Sequence, residues 1–219
     1  MKKKIRISLI FGLICAICLS FFNFNLLCDD LRQNVLRLHI IANSDSEADQ
    51  ELKLKIRDAI LSETGSLFAN SHSLEEANLK TEQHLKNFEE IANRVINESG
   101  FGYDATATIG ERFFETRHYE NFTLPAGNYR SLIINLGESK GKNWWCVVFP
   151  TVCIPAATKG DLSDSVNQES ANIAKQGSRY IMRFKTVEIY EKIKTTTNVF
   201  YACGLHWFVW TWGLCKLAI

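Results

Sequence analysis

The chain has 219 residues, 46% of them apolar, which is enough for one domain with a hydrophobic core and a few appended segments. Its formal net charge is +1, from 25 Lys and Arg against 24 Asp and Glu, and four of the basic residues stand at the N-terminus: Lys2, Lys3, Lys4 and Arg6. The rest of the chain is therefore slightly acidic and has no basic stripe, which argues against a nucleic-acid-binding protein.

The N-terminus is typical of an export signal. Its basic head is followed by an apolar run over residues 7–22 and then by polar residues. A run of about 16 residues is long for the apolar part of a signal peptide and slightly short for a full membrane span. The pattern predicts a signal peptide or an uncleaved signal anchor over residues 1–28, and it disfavours a buried helix of a cytosolic protein. We expect an exported protein, secreted or membrane-anchored.

The first predicted strand lies within residues 31–43 (LRQNVLRLHIIAN). Apolar residues alternate there with Arg37 and His39, which predicts one apolar face and one more polar face that carries both residues. A single histidine in a strand is more often structural than catalytic, so the sequence favours a structural role for His39.

Two amphipathic helices are predicted to follow, over about 47–62 and 73–99, with Gly65 and Gly100 placed to end them. Each begins at a serine with an acidic residue three positions later, in the pattern of a capping box: Ser46 with Asp49, and Ser73 with Glu76. Their apolar stripes predict packing against a sheet and indicate no cofactor site.

The second half of the chain reads mainly as strands. Residues 103–110 (YDATATIG) alternate between apolar and polar side chains, which predicts a one-sided strand, while residues 111–121 have no clear period and are either a strand or a loop. Residues 129–136 and 144–149 are apolar and flank a polar turn with two glycines. This pattern predicts a β-hairpin that ends at Pro150.

The order of these elements predicts an α+β fold: a two-layer domain with a largely antiparallel sheet and both helices on one face, after an N-terminal signal or anchor segment. We expect the signal or anchor at 1–28, the α+β domain at 31–155, a polar flexible insert at 156–178, a terminal strand or helix at 179–195, and an aromatic apolar tail at 196–219.

The tail is nearly free of charge over residues 199–215 (VFYACGLHWFVWTWGLC). Because Trp and Tyr favour the boundary between membrane and water, the pattern favours membrane contact, as an interfacial or marginally spanning segment. A buried terminal segment and a sequence altered by a frameshift are the alternatives that it leaves open.

Two of the seven cysteines, Cys146 and Cys153, flank Pro150. In an exported domain a disulfide between them is compatible with the oxidising surroundings, and two buried free thiols are the alternative. In an alternating strand Cys146 shares a face with Trp144, opposite Trp145. The cysteine spacing is no zinc pattern and the five histidines do not cluster, so the sequence predicts neither a metal site nor a cofactor.

Four segments resemble the stage II sporulation protein R family and occur in that family's order. They are RLHIIANSDS (37–46), DQELKLKIRDAIL (49–61), TLPAGNYRSLIINLG (123–137) and GKNWWCVVFPTVC (141–153). The resemblance covers roughly residues 36–153, and the N-terminal export signal agrees with it independently.

The resemblance implies a signalling protein of endospore formation and not an enzyme. Such a protein is made in the forespore and exported into the space between the two sporulation membranes. There it activates a membrane-embedded aspartic protease, which processes the sigma-E precursor. We therefore expect that protease as the partner, no nucleic acid, and membrane contact through the N-terminal segment and the tail.

Two function classes follow from the sequence. In the first, the chain is a protein ligand of the protease, and the candidate partner-binding residues are Arg37, His39, Asn43, Asp45, Tyr119, Pro125, Tyr129, Trp144 and Trp145. In the second, it is an exported hydrolase or thiol enzyme that uses Cys146, paired with His39 or His118, or a carboxylate such as Asp45. Only the second class requires the Cys146 thiol for chemistry.

Overall fold

The computed structural model describes residues 2–119, 122–151, 162 and 165–195. Its helices are α1 (Lys2–Gln33), α2 (Glu47–Ala69), α3 (Leu74–Gln83), α4 (Leu85–Glu98), α5 (Gln168–Lys175) and α6 (181–195), with a short 3-10 turn at Gly177–Arg179. Its strands are β1 (Leu36–Ile41), β2 (Ala105–Phe114), β3 (Arg117–His118), β4 (Thr123–Leu124), β5 (Gly127–Leu136) and β6 (Asn143–Phe149). The predicted α+β class is confirmed.

The main sheet has four strands in the order β2-β5-β1-β6. Strand β5 pairs antiparallel with β2 and parallel with β1, and β1 pairs antiparallel with β6. The sheet is therefore largely antiparallel, as the sequence predicts. Strands β3 and β4 form a separate two-stranded ribbon.

The predicted hairpin between β5 and β6 is wrong, because β1 lies between these two strands and pairs with both. Five of the six residues of β1 are buried, as expected for a central strand. The connection over residues 137–142 must cross two strand spacings, about 10 Å, and a six-residue link can do so where a tight turn cannot.

The two glycines of this connection let it pass close over the loop that follows β1. A Cβ atom at Gly141 would collide with the backbone carbonyl of Ser44, and one at Gly137 would collide with the side chain of Asn43. Gly137 also has a φ of +51°, which glycine tolerates best. These glycines therefore serve a crossover connection, whereas the sequence pattern had suggested a hairpin turn.

Helices α2, α3 and α4 cover one face of the sheet. Leu38 and Ile40 of β1, with Leu132 and Ile134 of β5, are fully buried against them in the main core. Both predicted N-caps are confirmed, because the side chains of Ser46 and Ser73 accept hydrogen bonds from backbone N–H groups three residues later. The helix layer thus lies where the amphipathic pattern predicts it.

Two details of the helix layer differ from the prediction. Gly65 does not end α2, which continues to Ala69 and so buries Phe68 against Phe88, with 6.3 Å between their ring centroids. The long second helix is interrupted at His84, which ends α3 and precedes α4. Its ring Nδ1 lies 2.8 Å from the carbonyl oxygen of Lys80 and meets the exposed end of α3.

Helix α1 is continuous from the N-terminal basic head into the domain. Within the described residues it is the only helix whose length and composition would allow a membrane crossing: it contains an exposed 18-residue window of mean hydropathy 2.4. Its last third is different, because Phe24, Cys28 and Leu31 are buried. The apolar N-terminal helix thus continues directly into the domain core.

The other face of the sheet is partly covered by the end of α1, by α5 and by the β3–β4 ribbon. Helix α5 lies within the segment 156–178, for which the sequence predicts a polar flexible insert. For residues 179–195 the sequence predicts either a strand or a helix, and in the structure residues 181–195 form the helix α6. The predicted tail (196–219) and Cys153 lie outside the described residues.

Candidate partner-binding site

The alternation of β1 places Arg37 and His39 on the sheet face opposite α2, α3 and α4. Across the sheet, Arg37 lies beside Val147 of β6, and His39 lies beside Trp145. These side chains meet aromatic residues of β2 and β5. We call this group the arginine–aromatic cluster, and it comprises Arg37, His39, Phe114, Tyr119, Tyr129 and Trp145.

Arg37 is fully buried and is held mainly by aromatic rings. Its Cζ lies 3.9 Å from the ring centroid of Phe114 and 5.0 Å from that of Tyr129, and its Nη2 donates a hydrogen bond of 2.6 Å to the hydroxyl of Tyr119. Among the described residues its Nε and Nη1 have no hydrogen-bond partner, and no carboxylate forms an ion pair with it. Two donors of a buried charge are therefore unsatisfied, which is costly unless another group satisfies them.

His39 is also buried, and it is uncharged at neutral pH. Its ring stacks on Trp145 at 4.6 Å between centroids. Burial lowers the pKa of His39 to about 4; hydrogen bonding to Asn143 opposes this, and the positive charges of Arg112 and Arg37 add to it. Neither ring nitrogen makes a hydrogen bond of standard geometry with the described residues. The ring can therefore still offer one donor and one acceptor.

Trp145 forms the accessible edge of the cluster. It is half-buried, packs edge-on against Phe114 at 4.6 Å, and has the guanidinium of exposed Arg117 5.0 Å from its ring centroid. Arg112 is a third, exposed arginine near the cluster. Within the described residues none of Arg37, Arg112 and Arg117 forms an ion pair with a carboxylate, so the guanidinium groups of the exposed Arg112 and Arg117 are open to an acidic partner.

Tyr129 and Pro125 lie at the base of the cluster and are both buried. The Tyr129 hydroxyl donates a 2.7 Å hydrogen bond to the Pro125 carbonyl, and burial raises the pKa of Tyr129 far above its usual value. Tyr119 stacks on Phe122 at 4.6 Å. Buried Tyr129 and Pro125 therefore lie on the inner side of the cluster, away from its accessible edge.

Asn43 and Asp45 lie elsewhere, in the loop between β1 and α2. The Asn43 side chain donates to Asp49 at 3.0 Å and accepts from the backbone N–H of Glu138 at 3.0 Å, and Asp45 accepts from the backbone N–H of Lys142 at 2.7 Å. These bonds tie the loop to the crossover connection. The structure gives both residues a bracing role; a partner contact stays a prediction.

Asp49 is the buried centre of this loop network. It accepts hydrogen bonds from the hydroxyls of Tyr103 (2.6 Å) and Ser44 (2.5 Å) as well as from Asn43. Burial by itself raises the pKa of Asp49, but these hydrogen bonds outweigh it and hold the pKa below its usual range. The sequence pattern identified Asp49 only as part of a capping box.

Trp144 is separated from the cluster because it faces the helix layer. The guanidinium of Arg57 in α2 lies 4.4 Å from its ring centroid, and its Nε1 is buried without a hydrogen bond among the described residues. The two adjacent tryptophans thus each pair with an arginine, on opposite faces of the sheet. The predicted opposite orientation of Trp144 and Trp145 is confirmed.

The structure keeps Cys146 and His39 apart, which weakens the thiol-enzyme alternative. Cys146 is buried on the helix face beside Leu38, whereas His39 is on the other face. The other candidate, His118, is in the β3–β4 ribbon, where its Nδ1 lies 2.9 Å from the hydroxyl of Thr123. The pairing of Cys146 with Cys153 stays a prediction.

Five of the nine predicted partner-binding residues are therefore in one cluster, with Pro125 at its base. The sequence missed Phe114 and Arg117, since residues 111–121 have no clear period. A useful signal was available, because an aromatic pair followed by Arg117 resembles the composition of interface cores.

Comparison with known proteins assigns the chain to a family. The model of the stage II sporulation protein R family matches residues 32–159. The stage II sporulation protein R of Bacillus subtilis (strain 168) is 33% identical over 163 residues, which is 74% of this chain and 71% of that protein. No solved structure matches. The match includes the whole of the arginine–aromatic cluster, and this chain belongs to the stage II sporulation protein R family.

Proposed function

We propose that this protein is an exported signal of spore formation that activates a membrane-embedded aspartic protease by direct contact, so that the protease processes the sigma-E precursor. The family supports the sporulation role. The exposed apolar part of α1 supports export and a position at the membrane, where such a partner would be reached.

One observation carries the choice of contact surface: three arginines at the arginine–aromatic cluster have no carboxylate partner among the described residues. Arg112 and Arg117 are exposed, and buried Arg37 adds positive potential and two unpaired donors behind them. A partner surface with Asp or Glu side chains would satisfy these groups through charge-assisted hydrogen bonds. Tryptophan and arginine, the residue types of Trp145 and of these three residues, are also enriched in binding hot spots.

The contact is tested by expressing the full chain with the protease and the sigma-factor precursor, and reading precursor cleavage by immunoblot. We expect Arg117→Ala and Trp145→Ala to reduce cleavage strongly. The matched controls are Arg57→Ala and Trp144→Ala, which remove the same kind of arginine–tryptophan pair from the helix face. Equal loss from both pairs, or loss from neither, would contradict the proposed surface.

The enzyme alternative is tested in the same assay with Cys146→Ser. Since Cys146 is a buried core residue on the helix face, the ligand proposal predicts cleavage close to that of the parent chain. Complete loss of cleavage by a Cys146→Ser protein that is exported at the normal level would favour the thiol enzyme.

A further inference from the structure

Helix α6 has two different apolar faces. One is buried in the domain and includes Phe184 and Val187. The other is exposed: Met182 is 78% exposed and Ile189 is 52% exposed. Positions 182, 189 and 193 fall along one line of an α-helix, so these side chains with Ile193 form a continuous apolar stripe on the outside. An exposed stripe of this kind indicates an interaction site.

Helix α6 packs beside the apolar part of α1, through its buried face and through residues next to the stripe. The rings of Phe21 and Tyr190 are 6.0 Å apart, and Phe24 packs on Phe184 at 5.3 Å. A groove of about 450 Å³ runs between the two helices and is lined by Ala16, Ile17, Ser20, Phe21, Phe24, Arg183 and Thr186. Residues 16–24 of α1 rise about 12 Å, so α6 meets α1 where its apolar run gives way to the polar end of the helix.

Basic residues flank the stripe on both sides. Lys185 and Lys192 are on one side, and Arg183 and Lys194 are on the other. Glu188 lies 2.9 Å from Lys185 and 3.2 Å from Lys192, and Glu115 lies 2.7 Å from Lys192, so these lysines are partly neutralised. The apolar stripe therefore contributes more to any interaction of this surface than the basic residues do.

We infer that α6 lies in the surface of the bilayer that α1 enters, with its exposed stripe among the outer acyl chains and its basic residues at anionic headgroups. An apolar stripe bordered by Lys and Arg is the pattern of an interfacial helix. Continuity with the apolar part of α1 favours lipid over a second protein. The domain is then fixed to the membrane at two places, which sets the height and orientation of the arginine–aromatic cluster.

This inference depends on the membrane insertion of α1 that the proposed function includes, and the test separates the two. The full chain is reconstituted into vesicles of phosphatidylcholine and phosphatidylglycerol whose acyl chains carry bromine, a contact quencher of fluorescence. A fluorescent amino acid is placed at position 182 or 189 for α6, at position 13 for α1, or at position 79 as the control. Leu79 is an exposed apolar residue of α3, 54% exposed, and lies on the helix layer of the domain.

We expect loss of most of the emission at positions 13, 182 and 189 and none at position 79, at both low and high salt. If position 13 is quenched while 182 and 189 behave like 79, the inference is wrong and the proposed function stands. If position 13 is not quenched, membrane anchoring by α1 is wrong and the inference fails with it.

A second measurement keeps the fluorescent label at position 182 and adds a charge to the stripe. Ile189→Glu is expected to weaken quenching at position 182, because it puts a carboxylate into the stripe, whereas Leu79→Glu is expected to leave it unchanged. Both replaced side chains are exposed, so thermal unfolding of the two variants should match the parent chain. Undiminished quenching at position 182 in Ile189→Glu would overturn the inference.

Discussion

Two buried arginines of this protein are expected to respond oppositely to the same substitution. Arg37 has two unpaired donors and no carboxylate partner among the described residues. Arg32 donates to the carbonyl of Ala126 at 2.6 Å and to Asp29 at 2.7 Å, and it lies 3.5 Å from the buried carboxylate of Glu191. Methionine preserves much of the apolar stem of either side chain and removes the charge.

The sizes of the opposing free-energy contributions decide whether removing the charge of Arg37 stabilises or destabilises the fold. Desolvation of a buried charge costs several kcal/mol, and each unsatisfied donor adds about 1–3 kcal/mol. For Arg37 the gains are about 2 kcal/mol from each ring contact and a similar amount from the hydrogen bond to Tyr119. The balance is near zero or unfavourable, so we expect Arg37→Met to raise the free energy of unfolding by about 1–2 kcal/mol.

Arg32→Met should instead lower the free energy of unfolding by about 3 kcal/mol, because it removes the buried cation beside Glu191 and leaves that buried carboxylate only the exposed Lys194, 3.9 Å away. The assay is thermal unfolding of the full chain in detergent, followed by near-ultraviolet circular dichroism. A change of 1 kcal/mol moves Tm by about 2–4 °C in a protein of this size. The account of Arg37 would be refuted if Arg37→Met lowered Tm as far as Arg32→Met does.

Two further predictions concern stability. As pH falls from about 6.5, the unfolded chain protonates His39 whereas the folded chain does not until about pH 4, so stability should decline by about 3 kcal/mol over that window, and His39→Phe should remove this part of the decline. An unchanged pH slope in His39→Phe would contradict it. Gly141→Ala should lower the free energy of unfolding by about 1–3 kcal/mol through its clash with the Ser44 backbone, whereas Gly102→Ala, where no atom is close, is the control and should not. Equal Tm values for the two would argue against a tight crossover.

Local patterns predicted the elements of this fold well, but not the pairing of its strands. The two serine caps and the apolar face of β1 are short-range features, so the sequence shows them directly. The place of β1 between β5 and β6 depends on contacts between residues far apart along the chain, such as Leu38 beside Cys146, which are more than a hundred residues apart. An apolar strand pair around a glycine-containing turn has the same pattern in a hairpin and in a crossover.

The candidate site shows the same limit. Alternation placed Arg37 and His39 on one face and separated Trp144 from Trp145, and both results hold in the structure. The burial of Arg37 could not be predicted, because it depends on Phe114, which reaches the site from β2. A sequence also does not show that an arginine lacks a partner; only the surroundings in the folded protein reveal it.

The central claim, that the arginine–aromatic cluster contacts the protease, is tested most directly by crosslinking. A photoreactive amino acid replaces exposed His118, next to Arg117 at the edge of the cluster, or, as the control, the exposed basic residue Lys86 on α4. The full chain is expressed with the protease and irradiated. The account predicts an adduct with the protease from position 118 and none from position 86, while an adduct from position 86 alone would contradict it.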